Sequence, residues 1–417
     1  MKLLHAGNLY WPSTIAGLDK SYPSLNRDLK VNVLIVGGGM SGTICGYALA
    51  ESGVSAAVVE RGRIAGGSTS ANTGLLQFCN DIMLTDLIDQ IGERDAVTFY
   101  EACRGAVLKL GGIAGALNED VGFIPRSSLF YASSESDLPK LRREYESLQS
   151  HGFDVSFLDS KQLSSQFPFS KAGAIVTRGD AEVNPLQFVK ATALKAASMG
   201  LQIYENSDVV SHERDEKSGI HRLRTSAGCS IEAEHVIFAV GYEPEELRTR
   251  LVKAKLNRSF AAVTERQDPD SLSRNWPDRC LIWETAHPYL YMRTTVDNRI
   301  VIGGLDEDPQ HPVEDEQALD KRIDQLREKL LDHFPALSGR MEYKWSATFG
   351  ESQDNLPFIG EDPAMSGAYY CLGYGGNGTV YSAIAGFLLR DRIQGVNNRQ
   401  EDLTRIVGLN RNNLQKV

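Results

Sequence analysis

The stretch VNVLIVGGGMSGTICGYALAESGVSAAVVER, residues 31–61, decides the fold of this 417-residue chain. Its apolar run VNVLIV is rich in β-branched residues and is typical of a buried parallel strand. Glycines with the spacing Gly-x-Gly-x-x-Gly follow, and the next segment has the composition of a helix that stops at Gly53. A second apolar run then ends at Glu60. Strand, glycines, helix, strand and acid in this order predict a βαβ unit that binds a dinucleotide.

Each glycine of the motif has a separate physical task. Gly37 permits the tight turn out of the strand, Gly39 lets backbone N–H groups approach a pyrophosphate, and Gly42 lets the helix pack close to the sheet. The positive end of the helix faces the phosphates. Glu60 lies 18 residues after Gly42, where an acid accepts hydrogen bonds from ribose hydroxyls. The predicted cofactor contacts in this unit are Gly37, Gly39, Met40, Ser41, Gly42, Glu60 and Arg61.

The segment GRIAGGSTSANTG, residues 62–74, favours FAD over a nicotinamide dinucleotide. A flavin needs backbone and small hydroxyl side chains along its ribityl chain and ring, whereas a simple nicotinamide domain has no use for such a loop at this point. A solvent-exposed loop of small residues is the alternative interpretation. The loop residues assigned to the cofactor are Gly67, Ser68, Thr69, Asn72 and Gly74.

Further blocks accompany GGSTSANTG: GDAEVNPLQFVKATALKAASMGLQIYENSDVV (179–210), AEHVIFAVGYEP (233–244), and FGESQDNLPFIGEDP with YYCLGYGGNGTVYSAIAGFLLRDRI in residues 349–393. Together they resemble the FAD-dependent D-amino acid oxidase superfamily, which includes glycine oxidase, sarcosine oxidase, D-amino acid dehydrogenase and γ-glutamylputrescine oxidase. The resemblance spans roughly residues 30–396. It implies that Val209 and Gly241 also contact FAD.

The last of these blocks predicts a second helix that begins at the flavin. Gly375, Gly376, Asn377 and Gly378 form a loop, and the segment that starts at Thr379 is predicted to be an amphipathic helix. The helix N-terminus would point at the pyrimidine edge, where reduced flavin carries negative charge that N–H donors stabilise. We therefore expect these five residues to contact FAD. A glycine-rich helix start without a ligand is the alternative.

The distribution of the flavin blocks predicts an interleaved architecture. The expected fold is an α/β Rossmann-type FAD-binding domain of the glutathione-reductase-like kind, interleaved with an α+β substrate domain that carries an antiparallel sheet. The predicted segments are an extension (1–30), the discontinuous FAD-binding domain (31–91, 171–251 and 341–396), the substrate domain (92–170 and 252–340) and a C-terminal tail (397–417). The aromatic residues of the extension suggest that it packs on the body.

Composition and charge exclude several classes of protein. The 54 acidic residues exceed the 44 basic ones, and a formal charge of −10 argues against a general nucleic-acid binder. Six cysteines without a Cys-x-x-Cys pair indicate free thiols, and the eight histidines show no metal-ligand spacing. No apolar run is long enough to cross a membrane, and the N-terminus lacks a secretory pattern. We expect a cytoplasmic protein that acts on a small molecule, and the sequence does not predict its oligomeric state.

The residues expected to bind the substrate depart from the pattern of the relatives. Phe349 stands where many amino-acid-specific members of the superfamily carry a carboxylate-binding arginine. Val380 stands where sarcosine oxidases carry a lysine, and RIVIGG (299–304) lacks the lysine that those enzymes use for oxygen. We therefore do not expect the Phe349 position or the Val380 position to hold the carboxylate of an amino acid substrate.

The strand PYLYMR supplies the candidate catalytic residues. It alternates Tyr289, Tyr291 and Arg293 on one face, where two phenols and a guanidinium could bind a polar or anionic substrate. Arg293 could replace the missing arginine, although a sheet surface with Arg293 in a structural ion pair is the alternative. Gln77 and Asn80 follow the flavin loop, and they either approach the ring or have structural roles.

The resemblance implies oxidation of a C–N bond in an amine or amino acid. Hydride passes to flavin N5 and leaves an imine that water hydrolyses. Three alternatives stay open: a dehydrogenase that passes electrons to a quinone or carrier protein, a nicotinamide-dependent dehydrogenase, and a non-catalytic flavoprotein. The loop GSTSANTG lacks histidine and SATFGES lacks cysteine, the residues that tether FAD in some relatives. We therefore expect noncovalent FAD.

Overall fold

The computed structural model describes residues 4–242, 254–373, 375–396 and 400–411. The described strands are β1 (His5–Asn8), β2 (Leu29–Val36), β3 (Ala56–Val59), β4 (Leu75–Leu76), β5 (Ile124–Tyr131), β6 (Val155–Asp159), β7 (Gly173–Glu182), β8 (Gln202–Tyr204), β9 (Val209–Arg214), β10 (His221–Thr225), β11 (Ser230–Phe238), β12 (Ala254–Thr264), β13 (Leu281–Glu284), β14 (Leu290–Thr294), β15 (Ile300–Glu307), β16 (Met341–Ser352), β17 (Phe358–Asp362) and β18 (Met365–Leu372).

The α-helices of the same ranges are α1 (Met40–Glu51), α2 (Leu84–Ile91), α3 (Glu93–Ala116), α4 (Leu138–Ser150), α5 (Ser160–Gln166), α6 (Pro185–Ser198), α7 (Pro269–Asn275), α8 (Glu316–His333), α9 (Gly378–Ile393) and α10 (Glu401–Val407). Short 3₁₀ helices span Trp11–Thr14, Ser68–Ala71, Glu135–Asp137 and Pro277–Arg279. Within the described residues, no helix is both long enough and apolar enough to cross a bilayer.

The first sheet contains the motif that opens the sequence. Its strand order is β17-β18-β11-β2-β3-β8, with β9 and β10 continuing from β11. The pairs β18–β11, β11–β2, β2–β3 and β3–β8 are parallel. Val33, Leu34 and Ile35 of β2 are completely buried, as strands covered on both faces require. This is the predicted Rossmann-type sheet.

The second sheet is mostly antiparallel, in the order β1-β16-β12-β15-β14-β13-β5-β7-β4, with β6 paired to β7. Its two faces belong to different hydrophobic cores. One face contributes Trp283, Val301 and Trp345 to a core shared with Ile35 of the first sheet. The other face packs under α8, which buries Leu326 and Leu330. The mixed α/β architecture confirms the predicted fold class.

The predicted domain boundaries need correction. Strand β1 lies in the predicted extension but pairs with β16, and β4, β7 and β16 were assigned to the FAD-binding domain although all three belong to the second sheet. The hydrophobic pattern of a strand shows how far it is buried, but its sheet is set by long-range pairing partners. The predicted boundary at 251/252, and residues 397–399 and 412–417 of the predicted tail, lie outside the described residues.

Both chain ends that the structure describes pack on the body. Tyr10 and Trp11 of the extension are 4% and 2% exposed, as their aromatic character predicted. In the predicted tail, the Arg411 guanidinium donates from Nε and Nη2 to the Asp354 carboxylate at 2.6 and 2.7 Å. Both members of this pair are buried, so Arg411, the last described residue, is tied to the turn before β17. All six cysteines are free thiols.

The buried Arg411–Asp354 pair predicts a large stability effect. Arg411→Met should lower the free energy of unfolding by about 3–5 kcal/mol, because it leaves a buried carboxylate without its cation. Arg405→Met is the matched control, since Arg405 pairs with Asp95 at 2.6 Å but is largely exposed, and its loss should cost about 0–1 kcal/mol. Urea denaturation measures both. Equal, small losses for the two variants would contradict a structural role for the buried pair.

Candidate active site

The turn after β2 has the geometry that a dinucleotide requires. Gly37 adopts a φ of +106°, which disfavours side chains, and donates its N–H to the Val59 carbonyl at 2.9 Å. Gly39 is the N-cap of α1, and as a glycine it has no side chain that could cap the helix. An added Cβ at Gly42 would collide with the Gly37 carbonyl oxygen, so α1 approaches the strand more closely than any other residue type allows. The helix start therefore presents N–H donors beside the end of the strand.

Glu60 reaches this turn from the end of β3. Its carboxylate accepts the Gly38 N–H at 2.7 Å through Oε2 and the Gly62 N–H at 2.8 Å through Oε1. The backbone of residues 206 and 207 lies beside it, because Ser207 donates its N–H to the Glu60 carbonyl at 2.9 Å. Val209 begins β9 just beyond this contact. Glu60 and the segment that leads to Val209 therefore lie at the same edge of the sheet.

The third predicted block lies at that edge too. Ala239 follows β11 and donates its N–H to the Val36 carbonyl at 2.9 Å, and its own carbonyl oxygen closely faces the Cα of Gly37. Gly241 comes two residues later with a φ of +62°. The segment thus returns to the glycine turn from the neighbouring strand. The contact of Gly241 with FAD stays a prediction.

The loop of residues 62–74 covers the N-terminus of α1. Ser68 begins the short 3₁₀ helix, and the Thr69 hydroxyl oxygen accepts the Met40 N–H at 3.0 Å. Gly67 is the N-cap of the same short helix. Next to them the hydroxyls of Ser41 and Ser382 lie 2.8 Å apart, which joins α1 to α9. The loop and both helices therefore converge.

Two indole groups hold the far end of this loop. Trp345 Nε1 donates to the Ala71 carbonyl at 3.0 Å and Trp11 Nε1 to the Asn72 carbonyl at 2.5 Å. Asn72 Oδ1 in turn accepts the Gly74 N–H at 2.7 Å. Both tryptophans come from outside the first sheet, Trp345 from β16 and Trp11 from the extension. The second sheet thus positions the loop that the sequence assigned to FAD.

The start of α9 lies beside the same loop. Asn377 is its N-cap without a side-chain cap, and the Asn72 amide lies 3.4 Å from the Thr379 hydroxyl. Gly375 donates its N–H to the Gly350 carbonyl at 2.8 Å and Gly376 to Asp81 Oδ2 at 2.7 Å. The sequence predicted cofactor contacts for all of residues 375–379. Because Gly375 and Gly376 have protein acceptors, the N–H groups left for a ligand are those of the first turn of α9, from Gly378 and Thr379 onward.

The arrangement fits FAD. Two helix N-termini whose N-cap residues, Gly39 and Asn377, make no side-chain capping hydrogen bond converge at the carboxyl edge of a parallel sheet, and a loop of small hydroxyl residues lies between them. The pyrophosphate would lie at α1 and the flavin at α9. Residues 32–392 match the family described as FAD dependent oxidoreductase. The chain therefore belongs to this family of FAD-dependent oxidoreductases, and its cofactor is FAD.

Individual relatives match about nine-tenths of the chain. It is 25% identical over 386 residues to γ-glutamylputrescine oxidoreductase of Escherichia coli K12, covering 90% of this chain and 86% of that protein. It is 26% identical over 376 residues to glycine oxidase of Bacillus licheniformis, covering 88% and 94%. The crystal structure of glycine oxidase from Geobacillus kaustophilus has the same fold, with a TM-score of 0.77 and 22% identity over 92% of this chain and 99% of that one.

The face of the second sheet that looks toward this site carries the predicted tyrosines. Tyr291 pairs with Gly303 of β15, and its ring lies over that glycine, so that an added Cβ would meet the ring carbon Cζ at 2.5 Å. Tyr289 donates its hydroxyl proton to Asp81 Oδ1 at 3.1 Å. Burial raises the pKa of both phenols, so both are protonated donors at neutral pH. Asp81 joins Tyr289 to Gly376, and it thereby connects the second sheet to the loop before α9.

Arg293 shares this face but has a different role from the one expected. It is 2% exposed, and it donates to the carbonyls of Thr73 at 2.7 Å, Val183 at 2.8 Å and Thr294 at 3.0 Å. Its Nη1 lies 3.8 Å from Glu182. The guanidinium is occupied by the protein, so the expectation that it binds a substrate carboxylate is corrected. Alternation placed Arg293 on the right face but did not show that the loop residue Thr73 faces it.

Gln77 and Asn80 have structural partners. Gln77 donates to the Ser128 hydroxyl at 3.3 Å, and Asn80 Oδ1 accepts hydrogen bonds from Tyr381 and Asn377, each at 2.9 Å. Both are buried, Asn80 to 2% exposure. These contacts favour a structural role for both residues, which was one of the two alternatives predicted from the sequence.

Sequence reasoning missed three acids on this side of the molecule: Asp81, Asp306 and Glu351. They lie far apart in the chain, and each has the appearance of a surface acid in its local sequence. Burial raises the pKa of Asp306 to about 6, with the Glu351 and Asp81 charges adding to the effect. Burial and the Asp81 charge also raise the pKa of Glu351. Asp81 and Asp306 also raise the pKa of Tyr289 and Tyr291, so acidic groups lie beside both phenols.

The close approach of α1 predicts a steric effect on the cofactor. Gly42→Ala should weaken FAD binding roughly ten- to a hundred-fold, because a methyl group forced against the Gly37 carbonyl moves the helix start and costs about 1–3 kcal/mol. Gly105→Ala in α3 is the control, since its added Cβ meets nothing within 4 Å. Fluorescence titration of the apoproteins with FAD measures both. An unchanged affinity in Gly42→Ala would contradict the placement of the pyrophosphate at α1.

The residues around the flavin also predict the mode of attachment. The described loop has no histidine at 66–74, and Cys371 in β18 is 1% exposed and beside Cys45. We therefore expect acid precipitation to release all the flavin into the supernatant. Yellow colour or flavin fluorescence that stays with the washed pellet would show a covalent bond instead. Free FAD added to denatured apoprotein is the control for trapping.

Proposed function

We propose that this enzyme oxidises the C–N bond of an amine. The observation that supports the proposal is the chain of contacts from Gly376 through Asp81 to Tyr289, which joins the loop before α9 to the tyrosine-bearing face of the second sheet. FAD, when bound, supplies the hydride acceptor. Relatives named as a glycine oxidase and a γ-glutamylputrescine oxidoreductase support C–N chemistry.

The chain's own residues would orient the donor carbon. Tyr289 and Tyr291 keep their protons because burial raises the pKa of each phenol, so they can donate hydrogen bonds but not carry charge. Phe349 lies half-buried on β16, opposite Asn257 of β12. Its ring offers apolar contact where many amino-acid-specific relatives place an arginine. An amine without a neighbouring carboxylate fits this lining better than a small amino acid does.

The test is an anaerobic absorbance titration of the FAD-loaded enzyme. The panel contains glycine, sarcosine, D- and L-proline, D-alanine, putrescine and γ-glutamylputrescine, with α-glycerophosphate and lactate as donors that lack nitrogen. We expect at least one amine to bleach the oxidised flavin band. Re-admitting air then separates an oxidase, which recovers its colour, from a dehydrogenase, which needs a quinone or carrier.

Two outcomes would overturn the proposal. Bleaching by α-glycerophosphate or lactate alone would assign C–O chemistry to the site. A flavin that dithionite reduces but no amine reduces, even with longer-chain and secondary amines, would indicate a flavoprotein without amine chemistry. Dithionite is therefore the positive control in every titration.

A further inference from the structure

Three carboxylates converge on the substrate side of the site. Asp81 accepts hydrogen bonds from Tyr289 and Gly376, and Glu351 accepts one from Asn257 Nδ2 at 2.9 Å. Asp306 lies close enough to both other acids for their charges to raise its pKa. Like charges brought together in a partly buried place are unfavourable unless something compensates them. We call Asp81, Asp306 and Glu351 the acidic triad.

The basic side chain that faces the triad in the sheet is engaged elsewhere. Lys255 of β12 pairs in register with Glu351 of β16, yet its ammonium lies 2.5 Å from Asp308. The Lys255 side chain is 60% exposed and Asp308 is 85% exposed, so this ion pair points to solvent. His287 is exposed and exerts only a secondary attraction on Asp81 and Glu351. His287 and Lys255 offset part of the negative charge at Glu351, yet burial keeps the pKa of all three carboxyl groups raised.

Two buried oxygens beside the triad have no donor among the described residues. Asn257 is 7% exposed, and while its Nδ2 donates to Glu351, its Oδ1 has no hydrogen-bond partner. Asp306 Oδ1 is buried and has no partner either. A buried acceptor without a donor costs free energy. A ligand that brings several N–H donors and positive charge would satisfy both atoms, and a primary ammonium group has three donors and no acceptor.

We propose that the substrate is a diamine or longer polyamine, with one amine oxidised at the flavin and a second, charged ammonium held by the acidic triad and Asn257. This substrate class rests on the proposed amine oxidation. In the reaction, the carbon next to the reacting nitrogen loses a hydride to oxidised FAD and that nitrogen loses a proton to water. The resulting C=N bond is hydrolysed by water to an aldehyde and ammonia. The triad also repels a substrate carboxylate, which complements the apolar Phe349.

The first arm of the test compares a matched pair of substrates. In anaerobic stopped-flow reduction of the holoenzyme, 1,4-diaminobutane should reach half-maximal rate at a concentration at least ten-fold lower than n-butylamine. Asp306→Asn and Glu351→Gln keep shape and hydrogen bonding but remove charge, and each should reduce that advantage to about three-fold or less. Glu314→Gln, a change at an exposed acid on the loop before α8, should retain the full advantage.

The second arm measures binding without turnover. The compound 2,5-dimethylhexane-2,5-diamine keeps the four-carbon spacing but has no hydrogen on the carbons next to nitrogen, so it cannot be oxidised. It should perturb the flavin absorbance of the wild-type enzyme and of Glu314→Gln at concentrations at least ten-fold lower than 2-methylbutan-2-amine. In Asp306→Asn and Glu351→Gln this difference should disappear. Unchanged FAD content and melting temperature show that each variant is folded.

The outcomes separate the two proposals. Reduction by n-butylamine or by an amino acid at concentrations equal to those of the diamine would overturn the diamine assignment and leave amine oxidation standing. Reduction by no amine at all would overturn amine oxidation. A diamine preference that survives both charge-removing variants would show that the triad does not bind the second ammonium, which also overturns the inference.

Discussion

The contact between α1 and the end of β2 is the constraint on which the rest of the structure depends. Gly42 lies against the Gly37 carbonyl with no room for a side chain, and Gly37 occupies a backbone region that glycine favours. This approach puts the positive end of a buried helix beside the strand end. Glu60, the 62–74 loop and the start of α9 are then arranged around that point. The cofactor site is therefore built from backbone groups, with side chains holding the backbone in place.

The second sheet completes the site because the two sheets share a core. Ile35 of the first sheet and Trp283, Val301 and Trp345 of the second belong to one buried cluster. Since this interface is apolar and closely packed, it fixes the face that carries Tyr289 and Tyr291 relative to the 62–74 loop. Arg293 and Trp345 extend the interface by hydrogen bonding to backbone carbonyls of the loop. Arg293 is buried and donates to three backbone carbonyls, one of them Thr73 of the 62–74 loop, so its guanidinium stabilises the loop.

The electrostatic character of the substrate side follows from this division. Arg293 is engaged by backbone carbonyls, and Asp81 and Asp306 lie close enough to Tyr289 and Tyr291 to raise the pKa of both phenols. Burial without a nearby cation raises the pKa of Asp306 to about 6. Such an environment favours a positively charged donor and disfavours an anionic one. The shared fold with glycine oxidase thus leaves room for a different substrate.

The sequence by itself determined the parts that depend on local order. Strand, glycines, helix and acid lie within 31 residues, so spacing alone predicted the βαβ unit and the positions of Gly37, Gly42 and Glu60 within it. The loop and the start of α9 were predictable from their small residues and from resemblance. Only the tertiary structure decided the sheet to which β7 and β16 belong, the role of Arg293 and the meeting of Asp81, Asp306 and Glu351. These depend on contacts between residues up to 270 positions apart, from Asp81 to Glu351, and a hydrophobic pattern carries no information about such pairing.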